Sequence, residues 1–107
     1  MQRFGSVVRL RPEMEQEYRR LHQAVWPEVL QQIRMSGIRN YTIFLRDGLL
    51  FSYYEYVGQD HGADLAAMAA DPATRDWWKL TDPCQRAVEG SDPAQLWAPM
   101  TEVFHTD

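Results

Sequence analysis

Two long β-forming segments joined by a short turn place the strongest constraint on how this chain can fold. Residues 38–45 alternate between two sets of side chains and are rich in β-branched and aromatic residues, which favour strands. One side carries Tyr41, Ile43 and Leu45, and the other carries Asn40, Thr42 and Phe44. The turn that follows, Arg46-Asp47-Gly48, has the Asp-Gly pair typical of a tight hairpin. The return segment, residues 49–57, is apolar or aromatic on both faces, so we expect it at the centre of a sheet or against a partner.

The segments around this hairpin predict helices and two further strands. Ahead of it we expect one strand and two helices, at residues 4–10, 13–23 and 28–35. After it we expect a short helix at residues 63–68 and a longer helix that begins at residue 71. A further short helix at 82–88, a loop at 89–99 and a closing strand at 100–105 complete the prediction. The order β-α-β-β-α-β is that of the ferredoxin-like fold, an α+β architecture with one antiparallel sheet and helices on one face. The length predicts one domain, residues 1–107.

A sheet covered by helices on one side leaves its other face open. The aromatic and apolar side chains of residues 49–57 would populate that face. We therefore expect a homodimer interface there, or the wall of a pocket.

The composition excludes several classes of function. The chain has 11 Lys and Arg against 15 Asp and Glu, a net charge of -4, which argues against a nucleic-acid-binding surface. No apolar run is long enough to cross a bilayer, and the first residues carry no signal-peptide pattern, so we expect neither a membrane protein nor an exported one. The single cysteine, Cys84, has no partner for an internal disulfide, which fits the reducing cytoplasm.

One short stretch concentrates groups that can do chemistry. Tyr18 and His22 are four residues apart, so they share one face of a helix, and Pro27 predicts a bend that would direct Trp26 toward the same spot. Imidazole titrates near neutral pH, which makes His22 a natural general acid or base. A structural histidine at the edge of the core or at a dimer seam is the alternative interpretation, and the residues by themselves leave it open.

A pair of consecutive tryptophans, Trp77-Trp78, is the second candidate feature. On a helix they point about 100° apart, so we expect one to stack on a ligand and the other to pack in the core. Two core anchors are the plain alternative. The other histidines, His61 and His105, have no metal-ligand spacing with His22, and we expect no metal site.

These motifs together resemble those of the L-rhamnose mutarotase family. They are Tyr18-x3-His22-x3-Trp26-Pro27-Glu28, Asn40-Tyr41-x-Ile43, Trp77-Trp78-Lys79 and Glu102-Val103-Phe104, in the family's order and across nearly the whole chain. The resemblance implies a dimeric ferredoxin-like α/β barrel. It also implies an isomerase that interconverts the α and β anomers of a 6-deoxyhexose without metal or cofactor. By the same resemblance His22 is the proton donor, and Tyr18, Tyr41, Trp77 and Trp78 contact the sugar.

The chain departs from the family after the tryptophan pair. It reads Leu80-Thr81-Asp82-Pro83-Cys84, and an acidic loop at residues 89–93 replaces the family's more usual Asn-Pro-Asp-Asn-Ser-Pro run. These departures leave L-fucose open as a substrate beside L-rhamnose. A cofactor-independent monooxygenase and a non-catalytic small-molecule binding module are alternatives on the same fold. The loop from Gly90 to Pro99 is a candidate lid.

Overall fold

One curled antiparallel sheet forms the framework of the protein. The computed structural model describes residues 1–107. The strands are β1 (Gln2–Leu10), β2 (Ile38–Arg46), β3 (Leu49–Tyr56), β4 (Gln85–Arg86) and β5 (Ala98–Met100). Their order across the sheet is β2-β3-β1-β4, and β5 pairs with β1 on the same edge as β4. This order is the ferredoxin-like arrangement that the sequence predicts, with β4 and β5 together taking the place of the closing strand.

The hairpin between β2 and β3 forms where the sequence predicts it. Asp47 and Gly48 have φ values of 51° and 75°, and two successive residues with positive φ make the tight turn that continues the twist of the strands. A β-bulge between Arg39 and Thr42 shifts the register within β2, and Asn40 sits there with φ 53°. Because of this bulge, Tyr41 and the alternate residues after it point to the same face as Ile38.

Four α-helices cover one face of the sheet. They are α1 (Glu15–His22), α2 (Pro27–Met35), α3 (His61–Ala70) and α4 (Pro72–Thr81), with a 3-10 turn ahead of α1 at Pro12–Met14. Trp26 is extended, with ψ 137°, so the predicted bend lies between α1 and α2. Asp60 and Asp71 cap α3 and α4 by accepting a hydrogen bond from a backbone N–H of the first turn.

Two sequence predictions near the carboxyl end are wrong. The helix predicted from Asp82 through Val88 is only a 3-10 turn at Asp82–Cys84, after which the chain enters β4 and pairs with Arg9 and Leu10. The closing strand predicted at residues 100–105 lies instead at Ala98–Met100, and residues 101–107 have no regular structure. Both strands are so short that they form only by pairing with β1. The local sequence does not show that this pairing occurs.

The core lies between the sheet and the helices. One buried cluster joins Val8, Leu10 and Leu50 of the sheet to Tyr18 and Cys84, and a second joins Leu21, Val29 and Trp77 between helices. The opposite face of the sheet carries a row of Val7, Phe51 and Phe44, which are paired across three strands. Phe44 keeps 63% of its surface exposed, so this face is open as the sequence predicts. No helix has the length and apolar character needed to cross a membrane.

Candidate active site

A cavity of about 500 Å³ opens between helices α1 and α4, strand β2 and the loop that leads to β5. All five residues that the sequence singles out as site candidates line it: Tyr18, His22, Tyr41, Trp77 and Trp78. A second, mainly apolar cavity of about 480 Å³ shares these five residues and extends under α2. The fold therefore brings together side chains that are up to 60 positions apart in the sequence. The size is within the range of small-molecule sites.

His22 is the last residue of α1, and its ring is held in one orientation. Its Nδ1 lies 2.8 Å from the backbone carbonyl oxygen of Tyr18. A carbonyl oxygen can only accept, so Nδ1 carries the hydrogen and donates it, and in the neutral ring Nε2 keeps its lone pair. The imidazole stacks on the Tyr18 ring at 4.3 Å between centroids and meets the edge of Trp77 at 5.4 Å. The side chain is exposed, so Nε2 is free to exchange a proton with a ligand.

Tyr18 places a neutral phenol beside the imidazole. Its hydroxyl oxygen accepts a hydrogen bond from Nε2 of Gln85 at 3.2 Å, and burial raises the pKa of the phenol above its ordinary value. The hydroxyl is therefore protonated at neutral pH. Because its oxygen already accepts from Gln85, its own hydrogen is left to be donated to a ligand.

Tyr41 brings a second neutral phenol from the sheet. It follows the bulge in β2, and its ring meets the edge of Tyr54 at 5.8 Å between centroids. Although 42% of the residue is exposed, desolvation raises the pKa of its hydroxyl to about 12. Both tyrosines are thus hydrogen-bond donors rather than bases near pH 7.

The two tryptophans differ in burial. Trp77 is only 6% exposed and packs in the core with Leu21 and Val29, whereas Trp78 is half-buried. Both residues line the cavity, and their burial differs in the way expected of one ring that packs in the core and one that is more open.

Trp26 does not line either cavity. Its indole meets the edge of Trp77 at 5.3 Å instead, so the prediction that the bend directs it toward the same spot as His22 is wrong.

Sequence reasoning missed several polar residues of the cavity, of which Asp82 and Gln85 bear on its chemistry. Burial raises the pKa of the Asp82 carboxyl above its ordinary value. Gln85 is 4% exposed, and its Oε1 has no hydrogen-bond partner. The spacing held a usable signal, because Asp82 lies four residues after Trp78 and so continues the same helical face. Because the sequence predicts a new helix that begins at Asp82, it does not place this side chain on the helical face of Trp78.

The predicted lid borders the same cavity. Residues 94–97 of the Gly90–Pro99 loop form part of its lining, including Gln95 and Trp97. Whether this loop moves over a ligand stays a prediction. No three histidine, cysteine, aspartate or glutamate side chains come close enough together to hold a metal ion.

A ferredoxin-like sheet whose aromatic cleft holds an oriented imidazole, two phenols and a carboxylate has the fold and the polar groups of a small enzyme, and these groups can donate and accept protons. Aromatic faces and hydroxyl donors in one cleft suit a ligand with both apolar C–H surface and hydroxyl groups. Comparison with known proteins gives the particular family. The model of the L-rhamnose mutarotase family matches residues 3–106, and the chain belongs to that family. The resemblance seen in the sequence motifs is thereby confirmed.

Individual relatives agree with this assignment. An L-rhamnose mutarotase of Oceanobacillus iheyensis is 30% identical over 109 residues, which cover 100% of both chains. The crystal structure of an L-rhamnose mutarotase from Formosa agariphila covers 100% of both chains with a TM-score of 0.79 and 22% identity. A crystal structure of an antibiotic biosynthesis monooxygenase has a TM-score of 0.60 at 18% identity, with 96% of this chain and 99% of that chain covered. At such low identity, the two structures show similarity of fold alone.

Proposed function

We propose that this protein is a sugar mutarotase that interconverts the α and β anomers of a 6-deoxyhexose, L-rhamnose in the first place, and that it is an isomerase. Membership of the L-rhamnose mutarotase family supports the reaction and the sugar. The observation that carries the chemistry is the orientation of His22, whose Nδ1 hydrogen is donated to the Tyr18 carbonyl and whose Nε2 is left free in the cleft. L-fucose is the alternative sugar, because the chain departs from the family after Trp78.

Mutarotation is a problem of moving protons between two oxygens of the sugar. The hydroxyl on C1 must lose its proton, and the ring oxygen O5 must gain one, as the C1–O5 bond breaks and the open aldehyde forms. Rotation about C1–C2 then presents the other face of the aldehyde, and the reverse proton transfers close the ring. A group that both donates and accepts near neutral pH is needed within hydrogen-bond reach of these oxygens. His22 is of the residue type that can carry out one of these transfers, and we assign it the role of proton donor to O5.

The remaining cavity residues would hold the sugar in place. Tyr18 and Tyr41 stay protonated at neutral pH and can donate hydrogen bonds to sugar oxygens. Trp78, the less buried tryptophan, is placed to stack on the C–H face of the ring or on the methyl group. Trp77 contributes an edge to the cavity while its body remains in the core. No metal or cofactor has a part in these steps.

We propose further that the single domain works as a homodimer through the open face of the sheet. The row Val7, Phe51 and Phe44 offers an apolar strip there. The chain end, which an ion pair between Arg3 and Glu102 holds to β1 at 2.9 Å, carries two further exposed apolar residues, Val103 and Phe104, at 93% and 80% exposure. Light scattering should report a mass of two chains. Phe44→Glu should give a monomer, whereas Met35→Glu, at an exposed methionine of α2 away from this face, should stay dimeric. Equal masses for both variants would contradict the interface.

The proposed compartment is the cytoplasm, where sugar catabolism takes place. The one cysteine, Cys84, is buried and free, as expected in a reducing environment. The net charge of -4 argues against binding of nucleic acid. The partners we propose are the sugar and a second copy of the chain.

Exchange of anomers measured by NMR at equilibrium tests the reaction directly. Saturation of the α signal of L-rhamnose should reach the β signal faster with the protein than without it, and L-fucose measured in the same way decides between the sugars. His22→Asn is the sharpest variant, because the asparagine amide can still donate to the Tyr18 carbonyl but cannot exchange a proton. We expect it to lose about 10²- to 10⁴-fold of the catalysed rate, the usual contribution of a general acid or base.

Two controls separate this function from its alternatives. His105→Asn changes a histidine in the exposed chain end and should keep the wild-type rate. Sugar binding that survives in His22→Asn while exchange is lost indicates an enzyme. Binding by wild type without any exchange indicates a binding module, and oxygen uptake with a quinol-type substrate indicates a monooxygenase.

A further inference from the structure

Asp82 lies where the cavity meets the protein surface. It begins the 3-10 turn directly after α4, and it lines both the cavity and a neighbouring surface cleft. Its backbone carbonyl accepts the N–H of Gln85, which fixes the turn at that point.

The Asp82 carboxylate has no hydrogen-bond or ion-pair partner within the protein, although it is the only carboxylate among the residues that line the cavity. Two basic side chains, Arg75 and Lys79, line the surface cleft with Asp82, but neither forms an ion pair with it. Lys79 is paired with Asp76, at 3.5 Å between Nζ and the carboxylate oxygen. Burial raises the pKa of the Asp82 carboxyl, an effect that no ion pair offsets. Asp82 as a whole is an exposed residue, so its unpaired carboxylate is open both to solvent and to the cavity and makes no contact that stabilises the fold.

The chemistry of mutarotation asks for a second proton-transfer group. While His22 donates to O5, another group must accept the proton of the C1 hydroxyl, and one imidazole nitrogen cannot do both at once. Tyr18 and Tyr41 cannot take that proton, because both are already protonated phenols at neutral pH. Among the side chains that line the cavity, Asp82 is the remaining group that can accept a proton.

We infer that Asp82 is the second catalytic residue of this site and accepts the proton of the C1 hydroxyl while His22 protonates the ring oxygen. This inference rests on the proposed mutarotase function. In ring opening the O1–H proton passes to a carboxylate oxygen of Asp82, the imidazolium Nε2–H passes to O5, the C1–O5 bond breaks and C1=O1 forms. In ring closure Nε2 takes the proton back from O5, O5 attacks the other face of C1, and the carboxyl returns its proton to O1. The protons balance over the cycle, and the pair ends as it began.

Asp82→Asn tests the inference with little change of shape. The amide can still form hydrogen bonds but cannot accept a proton, so we expect kcat for anomer exchange to fall about 10²-fold, with KM changed less than about threefold. Asp76→Asn is the matched control, because Asp76 is an exposed aspartate of α4 that does not line the cavity, and it should keep the wild-type rate.

Asp82→Ala provides a second, independent readout by chemical rescue. Removing the side chain leaves room for a small carboxylate, so added formate should raise the exchange rate of this variant, while sodium chloride at equal ionic strength should not. Wild type and Asp76→Asn should be unaffected by formate. A merely structural aspartate would not be replaced by a diffusible base.

The outcomes separate the two proposals. If the wild type accelerates exchange and His22→Asn abolishes it, but Asp82→Asn keeps kcat within about threefold or alters only KM, the role of Asp82 is refuted and the mutarotase function stands. A loss of kcat without rescue of Asp82→Ala also refutes proton transfer by Asp82. If the wild type exchanges neither sugar, the mutarotase function is refuted, and the catalytic role of Asp82, which rests on that function, is refuted with it.

Discussion

The hydrogen bond between Gln85 and Tyr18 allows a quantitative prediction that links stability to the site. The Tyr18 hydroxyl accepts from Nε2 of Gln85 at 3.2 Å, and both residues are at most 5% exposed. Tyr18→Phe removes the oxygen but keeps the ring that stacks on His22 at 4.3 Å. The Gln85 amide, whose Oε1 already has no partner, would then have no partner at either end.

The magnitude follows from the cost of leaving a buried donor unsatisfied. That cost is about 1–3 kcal/mol, so Tyr18→Phe should lower the free energy of unfolding by that amount. For a domain near 100 residues, about 1 kcal/mol shifts Tm by roughly 4 °C, which gives an expected decrease of about 4–12 °C. Urea denaturation and thermal unfolding followed by circular dichroism measure both quantities.

A double-mutant cycle isolates the reason. Gln85→Met removes the amide, including the unpaired Oε1, at similar volume, so it should change stability by less than about 1 kcal/mol. The double variant should then be close to Gln85→Met alone, with a coupling of about 1–3 kcal/mol between Tyr18 and Gln85. If Tyr18→Phe is as stable as the wild type, or if the two single effects simply add, the reasoning about an unsatisfied amide is refuted.

Further predictions concern caps, tryptophans and pH. Asp71→Ala should lower the free energy of unfolding by about 0.5–2 kcal/mol, because two hydrogen bonds at the start of α4 are lost. Asp60→Ala loses only one hydrogen bond, at an exposed cap, and should cost less. Equal Tm values for the two variants would contradict this. Trp77→Ala should cost about 3–5 kcal/mol in urea denaturation, whereas Trp78→Ala should weaken sugar binding in titration calorimetry more than it lowers stability; a reversed ranking would argue against their assigned places. Burial raises the pKa of Asp82 in the folded state because it disfavours the charged carboxylate. The folded state therefore loses stability relative to the unfolded state as pH rises through that pKa. Asp82→Asn should therefore have a higher Tm than the wild type at pH 7 and lose this advantage below about pH 3, and a gain that is constant with pH would contradict the shift.

Local rules explain the parts of the fold that the sequence predicts well. The turn at Asp47-Gly48 needs two residues with positive φ, and both have it. The cap at Asp71 and the proline after it start α4 at the expected residue. Tyr18 and His22 lie one turn apart on one helix, and Trp77-Trp78 follow from a second, so each pair is fixed by helix geometry. Residue spacing does not predict that both pairs lie beside Tyr41, and only the family resemblance implies it.

Short segments explain the parts that it does not predict. Gln85 and Arg86 form a strand only because Arg9 and Leu10 offer a free edge. A segment of two residues has no sequence pattern from which such a strand could be predicted. Ala98–Met100 contains a proline, which lacks the N–H of a ladder hydrogen bond and is tolerated because the segment lies at an edge. The contact of Trp26 with Trp77 is likewise a matter of how α2 packs against α4.

The sequence by itself determined the hairpin, the helix starts and the residue types that can do acid–base chemistry, because each of these depends on neighbours within one or two turns of chain. Only the tertiary structure decided that burial raises the pKa of both Tyr18 and Tyr41 further above neutral pH, that Gln85 donates a hydrogen bond to the Tyr18 hydroxyl, and that Asp82 faces the same cavity without a partner. Desolvation and pairing depend on which groups approach from distant parts of the chain, and that information exists only once the sheet and helices have packed.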